Sequence, residues 1–478
     1  MIPLLLNRRL ATAGSSFVRR ISQTSGLIKL ESKSLLLISG SDSTKFLNGL
    51  TTSKLLPTFV KKNQYTISPD EEETSLWLKE KLKLTEEEIS SKNWGILHED
   101  SFLEDGDPEK LGVRRDGIYS MIMNPKGRVV SDIFIYPTPF IGPTMDGPSY
   151  LIEASREKAA KLFMMFQMHK LSSKVKIVKT PDIKSWYYFN DSEVFADVLL
   201  NLQDSYFNNV TSVSLETAQE FAKKFAEAES IFSKDFSLAG FSFDDRSPQF
   251  GVKFLTSASD EEVVKGLQPL SDLVGDLQIL PEETYTSRRI AEGISETSDM
   301  KADTFPFENN LDFMNGISYN KGCYVGQELT IRTHVSGVVR KRIMPIQLFS
   351  IAGDSESVND QIILNHDDEV VSLLNSYGDE LYEAKIASGN EEEPQIELAS
   401  SPFGSPSSPT KSKRRAPLVG SIVRREGNIA LALINLRYIE FDNSVGKNEF
   451  LLNVPGEDEP KVGVKVFVPT WWPEDALE

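Results

Sequence analysis

Cysteine is almost missing. The 478-residue chain holds one, Cys323, so it has no intrachain disulfide and cannot supply the four thiolates that a resident iron–sulfur cluster usually takes. Histidine is nearly as scarce: His98, His169, His334 and His366 are scattered without ligand spacing, which excludes a self-contained metal site built from them. Long apolar runs are absent too. Stretches such as 2–6 and 429–434 end after five or six residues, far short of the ~18–20 that span a bilayer. The P-loop, the G-x-G-x-x-G dinucleotide loop, the H-E-x-x-H zinc helix and the G-x-S-x-G elbow are all lacking. Net basic charge is missing as well. At −18, the chain is a poor general ligand for nucleic acid or anionic membrane, because counterion release needs a basic surface.

The first thirty residues run against that trend. Arg8, Arg9, Arg19, Arg20 and Lys29 stand among serines and threonines with no acid before Glu31, while the remaining chain sets 47 basic residues against 70 acidic ones. A leader rich in Arg and Ser and poor in acids reads as a mitochondrial presequence. It is expected over 1–25, with the mature protein in the matrix.

The length suggests two or three domains. Residues 33–50 read as a buried strand, a turn at Gly40 to Asp42, and a helix capped by Ser or Asp. Residues 70–88 carry eight acids against three lysines, so 69–110 is expected to be a solvated surface insertion. Strand patterns at 119–123 and 129–136 flank the turn Asn124-Pro-Lys-Gly127. Residues 155–171 are helical, with Leu162, Met165, Phe166 and His169 on one stripe; the Met and Phe residues of this helix, Met164 and Met168 included, are expected as core packing and His169 as a satisfied structural histidine. A further helix is expected over 214–232 and a strand over 174–179. Beyond 345 the chain turns β-rich, as for a small barrel or sandwich, interrupted by a polar Ser/Pro-rich segment at 389–415 that is expected not to pack.

The single thiol sits in "NKGCYVGQE" (320–328). If 323–335 is a helix, Cys323 lies in its first turn, where free N–H groups favour a thiolate. Lys321 adds a cation, and Gly322 and Gly326 leave room for an incoming molecule. Tyr324, Gln327, Glu328 and Ile331 would then share one face. Residues 321–342 set Lys321, Arg332, Arg340, Lys341 and Arg342 against Glu328 alone, which is either a solvated face or a wall for a ligand bearing carboxylates. The thiol itself is either a reactive or ligating group or a small buried hydrophobe.

The stretch "NLDFMNGISYNKGCYVGQELTIRTHVSGVVRKRIMPI" resembles the K-G-C-Y-x-G-Q-E signature of the YgfZ-type folate-binding proteins, relatives of the glycine-cleavage aminomethyltransferase. "ISGSDSTKFLNGLTT", "MIMNPKGRVVSDIFIY", "MHKLSSKVKIV", "DDRSPQFG" and "RRIAEGI" agree in order. With its leader, the chain is similar to the mitochondrial branch of that family, which serves iron–sulfur cluster assembly. The resemblance implies an α+β aminomethyltransferase-like fold over 26–345 and a C-terminal β-barrel domain over 346–478. It implies tetrahydrofolate as cofactor, with Lys321, Tyr324, Gln327, Glu328, Arg332, Asn124 and Asp132 on the ligand side, His334 matching less closely, and Cys323 as the functional thiol. It further implies a transient iron–sulfur cluster shared with A-type carrier proteins, and [4Fe-4S] client enzymes such as aconitases and the lipoate and biotin synthases. The alternative, folate-dependent aminomethyl transfer, is opposed by Ser131, which stands where the transferases carry the first of two aspartates; Arg128 replaces one of their glycines. The expectation is a factor that is not an enzyme.

Overall fold

The computed structural model describes residues 24–56, 97–99, 113–114, 116–138, 148–203, 205, 215–275, 277–319, 321–351, 361–388, 417–441, 448–457 and 459–473. Almost all of the expected presequence and of the 69–110 insertion, and the whole 389–415 segment, lie outside them. Ser25, at the end of the expected presequence, already pairs with Asn190 in a strand.

Alternation along the strands builds the architecture. One five-stranded sheet runs Ile118–Met123, Val129–Pro137, Ser149–Ser155, Lys33–Ser39 and Lys176–Lys179. Side chains on a strand point alternately to opposite faces. Ile118, Ile122, Ile133, Ile135, Tyr150, Ile152, Leu36 and Ile38 therefore form an outer core with Leu162 and Phe166 of the Arg156–Lys170 helix. The opposite parity, Tyr119, Met121, Phe134, Tyr136, Leu151 and Leu35, enters a central layer. A second five-stranded sheet runs Leu238–Phe243, Val252–Thr256, Lys184–Asn190, Ser25–Lys29 and Ile279–Leu280. It adds Tyr187, Phe189 and Leu255 to that central layer and packs Trp186, Tyr188 and Phe254 against helices on its other side.

The C-terminal unit is a closed barrel in the order Lys341–Ser350, Ile429–Asn435, Leu418–Glu426, Lys385–Ala387, Glu449–Asn453 and Val462–Val466. Closure leaves no open sheet edge. The first barrel strand straddles the boundary expected at 345/346, because its ladder with Ile429–Asn435 begins at the pair Lys341 and Asn435. The barrel is tied to the rest by Asn310 Nδ2 donating to the Ile343 carbonyl (2.8 Å) and by Trp471 Nε1 donating to the Glu292 carbonyl (2.9 Å). The whole is α+β.

Local details depart from expectation in two places. Asp42 precedes the Ser43–Asn48 helix but caps nothing; its Oδ2 accepts from the Lys174 amide instead (2.7 Å), pinning the next connection. On the Arg156–Lys170 helix Met164 and Met168 are exposed rather than core, because they lie on the side turned away from Leu162 and Phe166, and His169 is exposed with its Nδ1 2.9 Å from the Met165 carbonyl. Among the described residues no helix is long and apolar enough to cross a membrane.

Candidate functional site

The thiol segment is laid across the C-terminal end of the Ser43–Asn48 helix and residues 49–54. Ser318 N donates to the Thr52 carbonyl (3.0 Å), Lys54 N to Ser318 Oγ (3.1 Å), and Val325 N to the Gly49 carbonyl (3.1 Å). Lys321 turns inward. It is buried, and its Nζ donates to the carbonyls of Thr51 (2.5 Å) and Ser53 (2.8 Å), lying 4.7 Å from the Tyr324 ring centroid. Burial, helped by Lys54, pushes its ammonium well below the ordinary lysine range. The cation expected beside the thiol is thus a structural clamp for two carbonyls.

Cys323 is exposed and free. The helix begins later than expected, at Gln327–Ser336 with Gly326 as N-cap, so Cys323 precedes it rather than occupying its first turn. The reason is Gly326 itself. It takes φ +84°, and a Cβ there would stand 2.6 Å from the Asn124 carbonyl oxygen. Gly127, at φ +73°, presses on the same helix: a Cβ there would stand 2.8 Å from Leu329 Cβ. Two glycines therefore interlock the Asn124–Gly127 turn with the helix start, a close approach that no other residue permits.

That turn engages the side-chain oxygen of Asn124. Its Oδ1 accepts from the amides of Lys126 (2.9 Å) and Arg128 (3.1 Å). Tyr324 is buried off the helix, its hydroxyl pushed up to about 12 by burial, and its amide donates to Gln327 Oε1 (2.9 Å). Glu328 and Arg332 are exposed on the helix, and His334 stacks on Tyr319 at 3.5 Å between centroids. The expected shared face of Tyr324, Gln327, Glu328 and Ile331 therefore does not form. The basic wall also loses a second member, because Arg342 is buried with its two terminal guanidinium nitrogens on Asp312 (2.9 and 2.7 Å). Arg332, Arg340 and Lys341 stay exposed.

Asp132 lies elsewhere, on the strand parity that enters the central layer, with Ser131 next to it in the chain. Asp132 Oδ1 accepts from the Thr297 amide (2.8 Å) and hydroxyl, while Ser131 Oγ donates to the Asp132 carbonyl (2.8 Å). Around them is a buried ionic network that motif reading missed. Arg246 pairs with Asp244 (2.6 Å) and Glu296 (2.8 Å), Lys33 with Glu296, and Arg289 with Asp299 (2.6 Å). Lys253 pairs with Glu153, linking the two sheets. Nearby Lys33, Arg289 and Arg246 overcome the burial penalty and hold Glu296 well below the usual carboxylate range. The signal was available: Lys33, Asp132, Glu153 and Lys253 share strand parity with Leu35, Phe134, Leu151 and Leu255, so alternation alone aims charges into the centre. Within this network two buried polar atoms lack a hydrogen-bond partner, Arg289 Nε and the hydroxyl of Tyr119. Tyr119 is buried, its hydroxyl has no hydrogen-bond partner, and the Arg246 guanidinium carbon lies 5.3 Å from its ring centroid. Burial, reinforced by Asp132, pushes that hydroxyl well above the tyrosine range, so it remains a neutral donor.

The arrangement offers two chemistries: an accessible single thiol on a locked segment, and an unmet donor in a charged, enclosed centre. Among the described residues no group of three or more His, Cys, Asp and Glu side chains is placed to hold a metal ion.

The fold and thiol segment define an α+β class with a C-terminal barrel, and residues 340–474 match the family model described as "CAF17, C-terminal beta-barrel domain". A mitochondrial iron–sulfur cluster assembly factor IBA57 homolog from Meyerozyma guilliermondii is 37% identical over 457 residues, covering 92% of this chain and 98% of that protein. The Candida albicans homolog is 38% identical, covering 94% and 98%. The Saccharomyces cerevisiae protein of that name is 31% identical, covering 86% and 81%. Among solved structures, glycine cleavage system aminomethyltransferase T from Bartonella henselae aligns over 97% of this chain and 89% of that one, at 11% identity and a TM-score of 0.47. The chain belongs to the family of IBA57-type mitochondrial iron–sulfur cluster assembly factors.

Proposed function

We propose that this protein matures [4Fe-4S] proteins in the mitochondrial matrix, with Cys323 lending one ligand to a cluster that an A-type carrier holds with its own thiolates. The observation that carries the reading is the exposure of the chain's one cysteine on a segment whose other tethers all face inward. A single thiolate cannot retain a cluster alone, so the cluster is cargo and the remaining ligands belong to the partner. The clients on this reading are aconitase-type enzymes and the lipoate and biotin synthases.

Tetrahydrofolate is proposed as the cofactor, and its fit differs between the two regions. Around the thiol, Lys321 Nζ, Asn124 Oδ1 and Gln327 Oε1 are engaged with backbone groups, and Glu328 and Arg332 are exposed. In the centre, the Tyr119 hydroxyl is an unmet donor that a buried heterocycle would satisfy, with Asp132 and Arg246 beside it. Bound there, the folate would supply a reduced pterin able to carry a one-carbon unit. Ser131, with its hydroxyl engaged by the Asp132 carbonyl, weighs against aminomethyl transfer.

Two measurements test the proposal. Mixing the protein with a cluster-loaded A-type carrier should give a new visible circular-dichroism spectrum that Cys323→Ser abolishes; an unchanged spectrum with the variant removes the thiol from the shared site. Calorimetry with tetrahydrofolate should show saturable heat, weakened about tenfold in Tyr119→Phe for the loss of one buried hydrogen bond. No heat, or equal affinity in the variant, rejects the central site.

A further inference from the structure

The Arg156–Lys170 helix is apolar on two sides, and only one is used. Ala159, Leu162 and Phe166 are sealed in the outer core. On the other side Met164 is 60% exposed and Met168, one turn on, 65% exposed. The chain then leaves the helix through Leu171, which is 88% exposed and takes φ +42°. A left-handed backbone is costly for a residue with a Cβ, and among the described residues no core cluster takes in Met164, Met168 or Leu171 to offset that strain or the exposure.

Charge sets this face apart from the rest of the surface. Residues 156–179 hold seven lysines and arginines against one acid, in a chain of formal charge −18. Lys161 lies one turn before Met164 and Lys174 three residues beyond Leu171, both exposed.

We infer that this face docks an acidic amphipathic helix of a partner protein. Leucines spaced three and four apart on such a helix cover Met164, Met168 and Leu171, and methionine's unbranched, polarisable side chain adapts to whatever shape they present. Glutamates on its flanks meet Lys161 and Lys174. Charge range favours a helix over an anionic membrane. A membrane plane confronts a broad area of an acidic molecule, whereas a helix feels only the charges within about 8 Å at physiological salt. The surface uses none of the residues around Cys323, so it stands or falls separately from the cluster reading.

The test uses the full chain labelled with 13C-methyl methionine, the two signals assigned through Met164→Leu and Met168→Leu. The probe is a helical peptide of about 20 residues with leucines at i, i+3, i+4 and i+7 and glutamates elsewhere. The methyl signals of Met164 and Met168 should move saturably. Affinity should fall about tenfold in Met164→Glu/Met168→Glu, and again when salt is raised to about 1 M. Both glutamates occupy exposed positions, so the thermal midpoint should stay within about 2 °C of the parent's. Unmoved signals, or equal affinity in the double variant, overturn the inference. Two other results also overturn it: equal shifts from phosphatidylglycerol vesicles assign the face to a membrane, and self-association lost in the double variant assigns it to a second copy.

Discussion

The C-terminal barrel and the layer between the two sheets are cores of opposite kinds. The barrel interior is aliphatic, with Ile346, Leu348, Ile386, Ile422, Val464 and their neighbours buried. The central layer encloses Lys33, Glu153, Arg246, Lys253 and Glu296 among aromatic rings. An aliphatic core loses stability in small steps as methyl groups are removed. An ionic core is coupled: each charge is tolerable only while its partners remain, and removing one strands the others. The barrel is therefore held by packing, and the centre by paired charges despite the cost of desolvating them.

The largest expected effect comes from breaking that coupling. Arg246→Met leaves Asp244 buried without its ion-pair partner and removes one of the cations around Glu296, and should cost about 3–5 kcal/mol. The measurement is urea unfolding followed by hydrogen exchange in each region, since a chain of several units need not unfold in one step. A loss below about 1 kcal/mol would mean the network is hydrated. Next is Gly326→Ala, which adds a Cβ 2.6 Å from the Asn124 oxygen at positive φ and should cost about 1–3 kcal/mol. It should also loosen the helix start, seen as faster amide exchange across 324–330; unchanged exchange would show that the interlock is not tight.

Acid should separate the two cores further. The carboxylates of Glu296 and Glu153 are held below their ordinary value, Glu296 well below it. A depressed folded pKa gives stability that is present above the unfolded value, about 4.5, and is lost as pH falls through the folded one. Each tenfold difference in proton affinity between the two states is worth about 1.4 kcal/mol. Exchange protection in the central strands should therefore fall below about pH 4.5 before protection in the barrel does. Simultaneous loss would contradict the contrast. The smallest effect belongs to the barrel: Ile346→Val should cost about 0.5–1.5 kcal/mol, with no change in the acid limb.

Much of this was legible. Alternation predicted the strands around 119–136, the helical stripe placed Leu162 and Phe166 in a core, and the β-rich end proved to be a barrel. What stayed hidden was direction. A lysine beside a cysteine looks like an electrostatic partner, yet two carbonyls from a segment some 270 residues earlier draw Lys321 inward. Asn124 holds its own turn with its side-chain oxygen, a structural task that its place in the motif did not announce. Local spacing does not carry such long-range hydrogen bonds. The start of the thiol helix was misplaced for the same reason, because it depends on the distant Asn124–Gly127 turn meeting Gly326. The central charges were the readable omission: their strand parity pointed inward all along.

The most direct test of the cluster-assembly reading is made in cells depleted of this protein and supplied with Cys323→Ser. Because Cys323 is exposed and free, the variant should accumulate to the parent's level yet fail to restore aconitase activity and protein lipoylation. Full restoration of both by the serine variant would contradict the account.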